Sequence, residues 1–349
     1  MKAFVIEAPG KIKMIETPKP LPGPYDVVSR VMYSGICGTD MGMLSGNISF
    51  VKDGRAKYPI RIGHEWSGIV DSVGLEVTKF KTGDRVVSDN WVSCGKCSYC
   101  NNGDIYNCPN GRSLGTIKTW DYGSFAEYIL IPQRHMFLLD DSISLEQGAL
   151  IEPATIGMAG VEAINTGKDD AVLVTGTGAV GLSAAALAKA AGAGKVFIAG
   201  RKHQKLETGL KNGADIAINM ADDDLAKRIE DETEWKGVNK IIETTGSADV
   251  LDKAIDCAGN GCKIALVGFY EDKINTEFNL DRIVLNKLTI TGVAGNPFVP
   301  QVMELMKNRA IDLTSLISRI YRLEDCIEAF TAANENSDAR IKVLVRMTA

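Results

Sequence analysis

The amino-acid sequence predicts an α/β protein in two parts, a mostly β part and a doubly wound parallel sheet flanked by helices. The length of 349 residues, at roughly 150 residues per domain, suggests two domains. Up to about residue 150, short apolar runs are broken by Gly and Pro. From near residue 157, apolar strands alternate with helices, the signature of βαβ units and a parallel sheet.

In the first part, residues 27–31, 68–73 and 85–88 read as strands. Four prolines within residues 18–24 forbid a helix there and predict an extended connector. In the second part, residues 171–174 form a continuous apolar strand, followed by a helix from about residue 180 to 191. Further strands are read at 195–199, 240–244 and 263–267. After residue 294 the alternation stops; Leu323, Ile327 and Phe330 fall at helical spacing, and residues 342–345 read as a closing strand.

Charged residues make up 24% and hydrophobic residues 45%, which is globular composition and excludes disorder and coiled coil. Lysine plus arginine number 39 against 44 acidic residues, a net charge of −5, so the basic excess of a nucleic-acid-binding protein is missing. Glu7 interrupts the N-terminus before an apolar stretch of signal length can build. Residues 171–188 carry no charge, but they mix Gly, Ala, Thr and Ser with Val and Leu and read as a buried strand and helix, not a membrane span. Eight cysteines without a secretory signal point to a reducing, cytoplasmic compartment, where clustered cysteines bind metal more often than they pair.

Gly176-Thr177-Gly178-Ala179-Val180-Gly181 fits G-x-G-x-x-G directly after a strand and at the opening of a helix. The first glycine makes the turn and the second lets backbone approach a pyrophosphate. The third lets helix and strand pack closely, with the positive helix end facing the phosphates. Such a unit binds NAD with an acid at the end of its second strand. Here Gly200 stands there, followed by Arg201 and Lys202. A glycine leaves room and an Arg-Lys pair neutralises a 2′-phosphate, so NADP(H) is expected over NAD(H).

Cys94, Cys97, Cys100 and Cys108 lie within 15 residues and suit a closed tetrahedral zinc site that staples a polar loop. Cys108-Pro109 echoes a ferredoxin run, but that run has only three residues before its last cysteine. Cys37-Gly38-Thr39-Asp40 and Gly63-His64-Glu65 add a second set, whose Cys, His and carboxylate suit a catalytic zinc with a position left open. Taken singly, Cys37 is equally a packing residue and Asp40 a helix cap.

With these motifs the chain resembles the zinc-dependent medium-chain dehydrogenase/reductase family of alcohol and polyol dehydrogenases. The residues that carry the resemblance are Cys37-Gly38-Thr39-Asp40, Gly63-His64-Glu65-Trp66-Ser67-Gly68, the cysteines 94, 97, 100 and 108, and Gly176 to Gly181. It implies a GroES-like catalytic domain, 1–157 and 294–349, around a Rossmann domain, 158–293. Glu152 matches the glutamate that polyol and threonine dehydrogenases carry where ethanol-type enzymes have a cysteine. The resemblance therefore implies that Cys37, His64, Glu65 and Glu152 surround a catalytic zinc, with either glutamate as the direct ligand. The metal stabilises negative charge on the carbinol oxygen, and Thr39 is placed to accept the alcohol proton. Gly176, Gly178, Ala179, Val180, Gly181, Gly200, Arg201 and Lys202 form the cofactor set.

Two departures bear on the substrate. Gly42 stands where many relatives, threonine dehydrogenases among them, carry a histidine. Ala294-Gly295-Asn296-Pro297 stands where sorbitol dehydrogenases carry an Arg-Tyr pair. The expectation is an NADP(H)-dependent zinc oxidoreductase acting on a secondary alcohol or ketone of a polyol or sugar-derived substrate. The alternatives are an inositol or aminocyclitol dehydrogenase (scyllo-inosose or deoxy-scyllo-inosamine type), an L-threonine 3-dehydrogenase, and a non-catalytic nucleotide-binding zinc protein. Trp66 and Tyr122 are candidate pocket or core residues; Cys257, Cys262 and Cys326 read as buried thiols. Residues 222–224 read as a solvated turn or cap, and the resemblance implies a homodimer or homotetramer.

Overall fold

Six parallel strands form one sheet in the spatial order Ile216–Asn219, Lys195–Gly200, Ala171–Thr175, Val238–Glu243, Ala258–Leu266 and Thr289–Gly292. The computed structural model describes residues 1–117, 123–270, 280–294, 298–335 and 337–348. Tyr122 and Gly295-Asn296-Pro297 lie outside the described residues. The central strands Ala171–Thr175 and Lys195–Gly200 carry continuous buried apolar runs because both faces of the sheet are covered there, whereas the edge strand Thr289–Gly292 has no buried residue. Val172 and Val174 face one core with the helices Ile151–Ala163 and Ala179–Ala190. Leu173 faces another core with Leu225, Ile229, Leu251 and Ile255. The side-chain period of two thus feeds two helical layers from one strand.

The other lobe is a mixed sheet in the order Met136–Leu138, Arg85–Ser88, Glu65–Val73, Asp26–Gly35, Lys342–Arg346 and Ile317–Arg322, with Tyr128–Pro132 also paired to Asp26–Gly35. Residues from both ends of the sequence therefore share one sheet. A three-stranded sheet of Lys11–Glu16, Lys2–Ala8 and Ile60–Arg61 adjoins it. The helix Ile151–Ala163 runs between the lobes, and Val299, Val302 and Met306 of the helix Val299–Lys307 join its core on the parallel-sheet side.

The expected strands all form, and residues 18–24 contain no helix. The C-terminal helix needs a correction: in Cys326–Asn334 the buried stripe is Cys326, Ala329, Phe330 and Ala333, while Ile327 is exposed. Trp66 is core, 2% exposed, with its indole N–H donating to Ser88 Oγ at 2.9 Å. Cys257, Cys262 and Cys326 are buried free thiols, and Asp224 caps the helix Leu225–Glu232 by accepting from the Lys227 N–H. Among the described residues, no helix is long and apolar enough to cross a membrane.

Candidate active site and metal centres

Strand register assembles the central site. Asp26–Gly35 runs antiparallel to Glu65–Val73, and Gly35 faces Glu65, so the chain leaving one strand and entering the other meets at one end of the sheet. Cys37 sits at the N-cap of the helix Gly38–Ser45, its N–H donated to Asp40 Oδ2 at 2.9 Å. Ligand atoms of Cys37, His64 and Glu65 all lie within 4.8 Å of one another. Glu152, in the first turn of Ile151–Ala163, accepts from Asn90 Nδ2 and stands outside that set. His64, Glu65, Asp40 and Glu152 are all buried.

Lys342, whose strand pairs with Asp26–Gly35 on the other side, completes the charge set. Its ammonium donates to both Glu65 oxygens, at 2.7 and 2.6 Å, and to the Ile36 carbonyl at 3.1 Å. A Cβ at Gly35 would collide with Glu65 Oε2, so glycine is needed there for the carboxylate to reach the lysine. Burial works against the charge on Lys342, but Glu65 and then Cys37 hold its pKa above the usual lysine value. Burial likewise opposes a charged His64, yet Cys37 and Asp40 raise it well above its ordinary value. Glu152 is pushed up to about 7, chiefly by burial. Asp40 is raised for the same reason.

His64 Nδ1 lies 3.8 Å from Asp40 Oδ1, and neither atom has a hydrogen-bond partner. The Asp40 carboxylate faces Nδ1 of the ring, which leaves Nε2 as the nitrogen available to an ion. Thiolate, imidazole and carboxylate in this spacing fit zinc. Thr39 follows in the first turn of the helix, half-buried.

The second cluster is closed. Cys94, Cys97, Cys100 and Cys108 place their sulfurs within 4.8 Å of one another. The Sγ–Sγ separations are 3.9 Å for 94–100, 3.5 Å for 97–100 and 3.7 Å for 97–108. A tetrahedron with metal–sulfur bonds of about 2.3 Å has edges of about 3.8 Å, so the four thiols fit zinc. The Lys96 N–H is the main cause of lowering the Cys94 thiol to about 6.

In the parallel-sheet lobe, Gly178 caps the helix Ala179–Ala190 with nothing within 4 Å of a hypothetical Cβ, an open approach to the helix N-terminus. Gly176 has φ +104°, and a Cβ on Gly181 would strike the Gly176 carbonyl. Gly200 ends the second strand, but the space of its missing side chain is filled by Thr177, whose Cγ2 would sit 2.5 Å from a Cβ. Glycine at 200 thus lets the Thr177 side chain pack against the end of this strand. Arg201 is exposed and Lys202 pairs with Asp338 at 3.0 Å. Lys205, on the following helix, is lowered by burial and by the like charges of Arg340 and Lys202. Sequence reasoning missed Lys205, Arg340, Lys342 and Asn90, and placed Asp40 in the second metal set with a helix cap as its alternative role.

Fold and site together define a zinc-binding alcohol dehydrogenase. The alcohol dehydrogenase GroES-like domain matches residues 23–141 and the zinc-binding dehydrogenase domain residues 179–308. Sorbitol dehydrogenase of Bacillus subtilis strain 168 is 32% identical over 99% of this chain and 97% of its own length. L-threonine 3-dehydrogenase of Deinococcus radiodurans is 31% identical over 98% of this chain and 97% of its own. A zinc-binding dehydrogenase from Sinorhizobium meliloti 1021, solved bound to NADP, superposes with a TM-score of 0.90 at 28% identity, covering 99% of this chain and 98% of that one. The chain belongs to the zinc-dependent medium-chain dehydrogenase family, in its sorbitol-dehydrogenase-like branch.

Proposed function

We propose that this enzyme transfers hydride between NADP(H) and a secondary alcohol or ketone of a polyol or sugar-derived substrate. The observation that carries this is the meeting of Cys37 with the buried His64 and Glu65 donor atoms beside a dinucleotide-binding lobe. The catalytic lobe comprises 1–157 and 294–349 and the nucleotide lobe 158–293, with the first boundary inside the helix Ile151–Ala163.

Cys37 and His64 would hold the catalytic ion, with Glu65, which clusters with them, or Glu152 as the carboxylate ligand; Glu65 also accepts from Lys342, which balances charge behind the site. When bound, zinc would supply Lewis-acid stabilisation of negative charge on the substrate oxygen. Asp40 holds the His64 ring in orientation. Thr39 takes the alcohol proton and passes it outward. Cys94, Cys97, Cys100 and Cys108 would hold a structural zinc. The glycine loop takes the pyrophosphate, and Arg201, Lys202, Lys205 and Arg340 supply positive charge for a 2′-phosphate. The enzyme is expected in the cytoplasm as a homodimer or homotetramer.

Against threonine as substrate, Gly42 stands where threonine dehydrogenases carry a histidine, and a Cβ there would press on the Ile48 side chain at 3.0 Å. A cyclitol or aminocyclitol remains the second reading. Nicotinamide absorbance with linear polyols, cyclitols, aminocyclitols and threonine, with NADP or NAD and with or without chelator, tests all of this. Turnover of a polyol, faster with NADP and lost on chelation, is the expected result; preference for NAD overturns the cofactor assignment.

A further inference from the structure

Glu243 is fully buried at the C-terminal end of the strand Val238–Glu243, and the chemistry above does not use it. Hydroxyl and backbone N–H groups satisfy its carboxylate. The Thr245 N–H donates at 2.6 Å and the Gly246 N–H at 3.1 Å. The Tyr270 hydroxyl donates at 2.8 Å and the Thr175 hydroxyl at 3.4 Å, and the Thr245 hydroxyl donates as well. Its backbone carbonyl takes the Val267 and Gly268 N–H groups at 2.8 and 3.1 Å. One residue therefore ties together the ends of three neighbouring strands, at Thr175, Glu243 and Leu266.

The place of this knot gives it a role. Lys195–Gly200, which carries the adenosine side of the cofactor set, lies on one flank of Ala171–Thr175, and Val238–Glu243 lies on the other. Dinucleotides cross such sheets at the carboxyl ends of the strands, where the strand order reverses. A cofactor whose adenosine half lies over Lys195–Gly200 must set its other half over Thr245, Gly246 and the 268–270 turn. Thr244 Oγ1, donated to the Thr175 carbonyl at 2.7 Å, also fills the space beside Gly176 and so braces the phosphate loop from this side. Phe269, next to Tyr270, meets Phe50 of the catalytic lobe edge-on at 5.2 Å.

We infer that Glu243 is a positioning residue for the nicotinamide half of the cofactor, holding the Thr245-Gly246 and Phe269-Tyr270 turns where that half must lie. The inference rests on the dinucleotide reading given above. Glu243→Gln turns an amide N–H toward groups that are themselves donors, and Tyr270→Phe removes a single donor from the same carboxylate.

The test titrates wild type, Glu243→Gln and Tyr270→Phe with NADP, NAD and 5′-ADP, alongside kcat, KM and melting temperature. Loss of one charged hydrogen-bond acceptor predicts about tenfold weaker binding of the preferred dinucleotide by Glu243→Gln, with kcat lowered and 5′-ADP affinity unchanged. A smaller loss in the same direction is expected for Tyr270→Phe, which carries the test if Glu243→Gln does not fold. Parallel loss of 5′-ADP and dinucleotide, or no change in either variant, overturns the inference. Wild type that binds neither NADP nor NAD overturns the dinucleotide reading itself, and the inference with it.

Discussion

The four-cysteine loop and the Cys37 centre lie in one lobe, and their surroundings differ in almost every respect. Around the loop, the short helices Ser98–Asn101 and Ile105–Asn107 bury none of their residues, and the four donors are of one kind. Around Cys37 the donors are mixed, Asp40, Glu65, Glu152 and Lys342 are buried, and two polar atoms have no partner. A loop whose short helices bury none of their residues gains from a crosslink, and four equal thiolates would provide one with no position for a substrate. A mostly buried set with uneven donors would keep a coordination position that chemistry can use. On the roles proposed here, the contrast teaches that burial and donor variety, more than the number of ligands, separate a working metal site from a staple.

Four measurements can break or sharpen this contrast. Cys37→Ser removes a catalytic ligand and is expected to lower kcat/KM by about a thousandfold or more, with a melting temperature close to wild type. A large fall in stability with retained turnover would reverse the roles of the two sites. Lys342→Met strands the buried Glu65 carboxylate at a cost of about 3–5 kcal/mol, read in a denaturant midpoint. Pairing it with Glu65→Gln should restore most of that loss; no recovery would show that the lysine acts through packing alone.

Cys97→Ser should do the opposite of Cys37→Ser, lowering Tm by about 5–10 °C while the zinc-saturated remainder keeps most of its kcat. The smallest effect is in pH. In the metal-free protein, Glu152 is raised to about 7 and His64 is raised too. Groups with raised pKa stabilise the fold in their protonated forms, and that contribution is lost as pH rises through the folded values. The chelated protein is therefore expected to melt higher at pH 6 than at pH 8. Zinc must displace those protons, so the gap between loaded and chelated melting temperatures should widen from pH 6 to pH 8. A constant gap counts against Glu152 and His64 as the proton-bearing ligands.

Local spacing makes part of this molecule legible from sequence alone. The four cysteines span one loop, and the glycine loop joins one strand to one helix, so their geometry is written in consecutive residues. Cys37 and His64 are also readable, because antiparallel register brings two Gly-flanked motifs together. Lys342 is not, since its meeting with Glu65 spans 277 residues and depends on which strand the chain end joins. Gly200 shows the converse limit. The missing acid is visible in the sequence, but the packing of the Thr177 side chain against Gly200 is a tertiary contact. Likewise the period of the last helix is legible and its phase is not, so Ile327 faces solvent where Cys326 faces the core.

The strand Lys342–Arg346 lies between Asp26–Gly35 and Ile317–Arg322, which has a consequence for biosynthesis. During translation, Cys37, His64 and Glu65 emerge from the ribosome long before the strand that completes their sheet and supplies their counter-charge. The whole nucleotide lobe is made in the interval and has only contiguous segments to wait for. Emerging chains should therefore acquire a cofactor-binding half first, while the redox half stays open along one sheet edge, the state in which chaperones would find it.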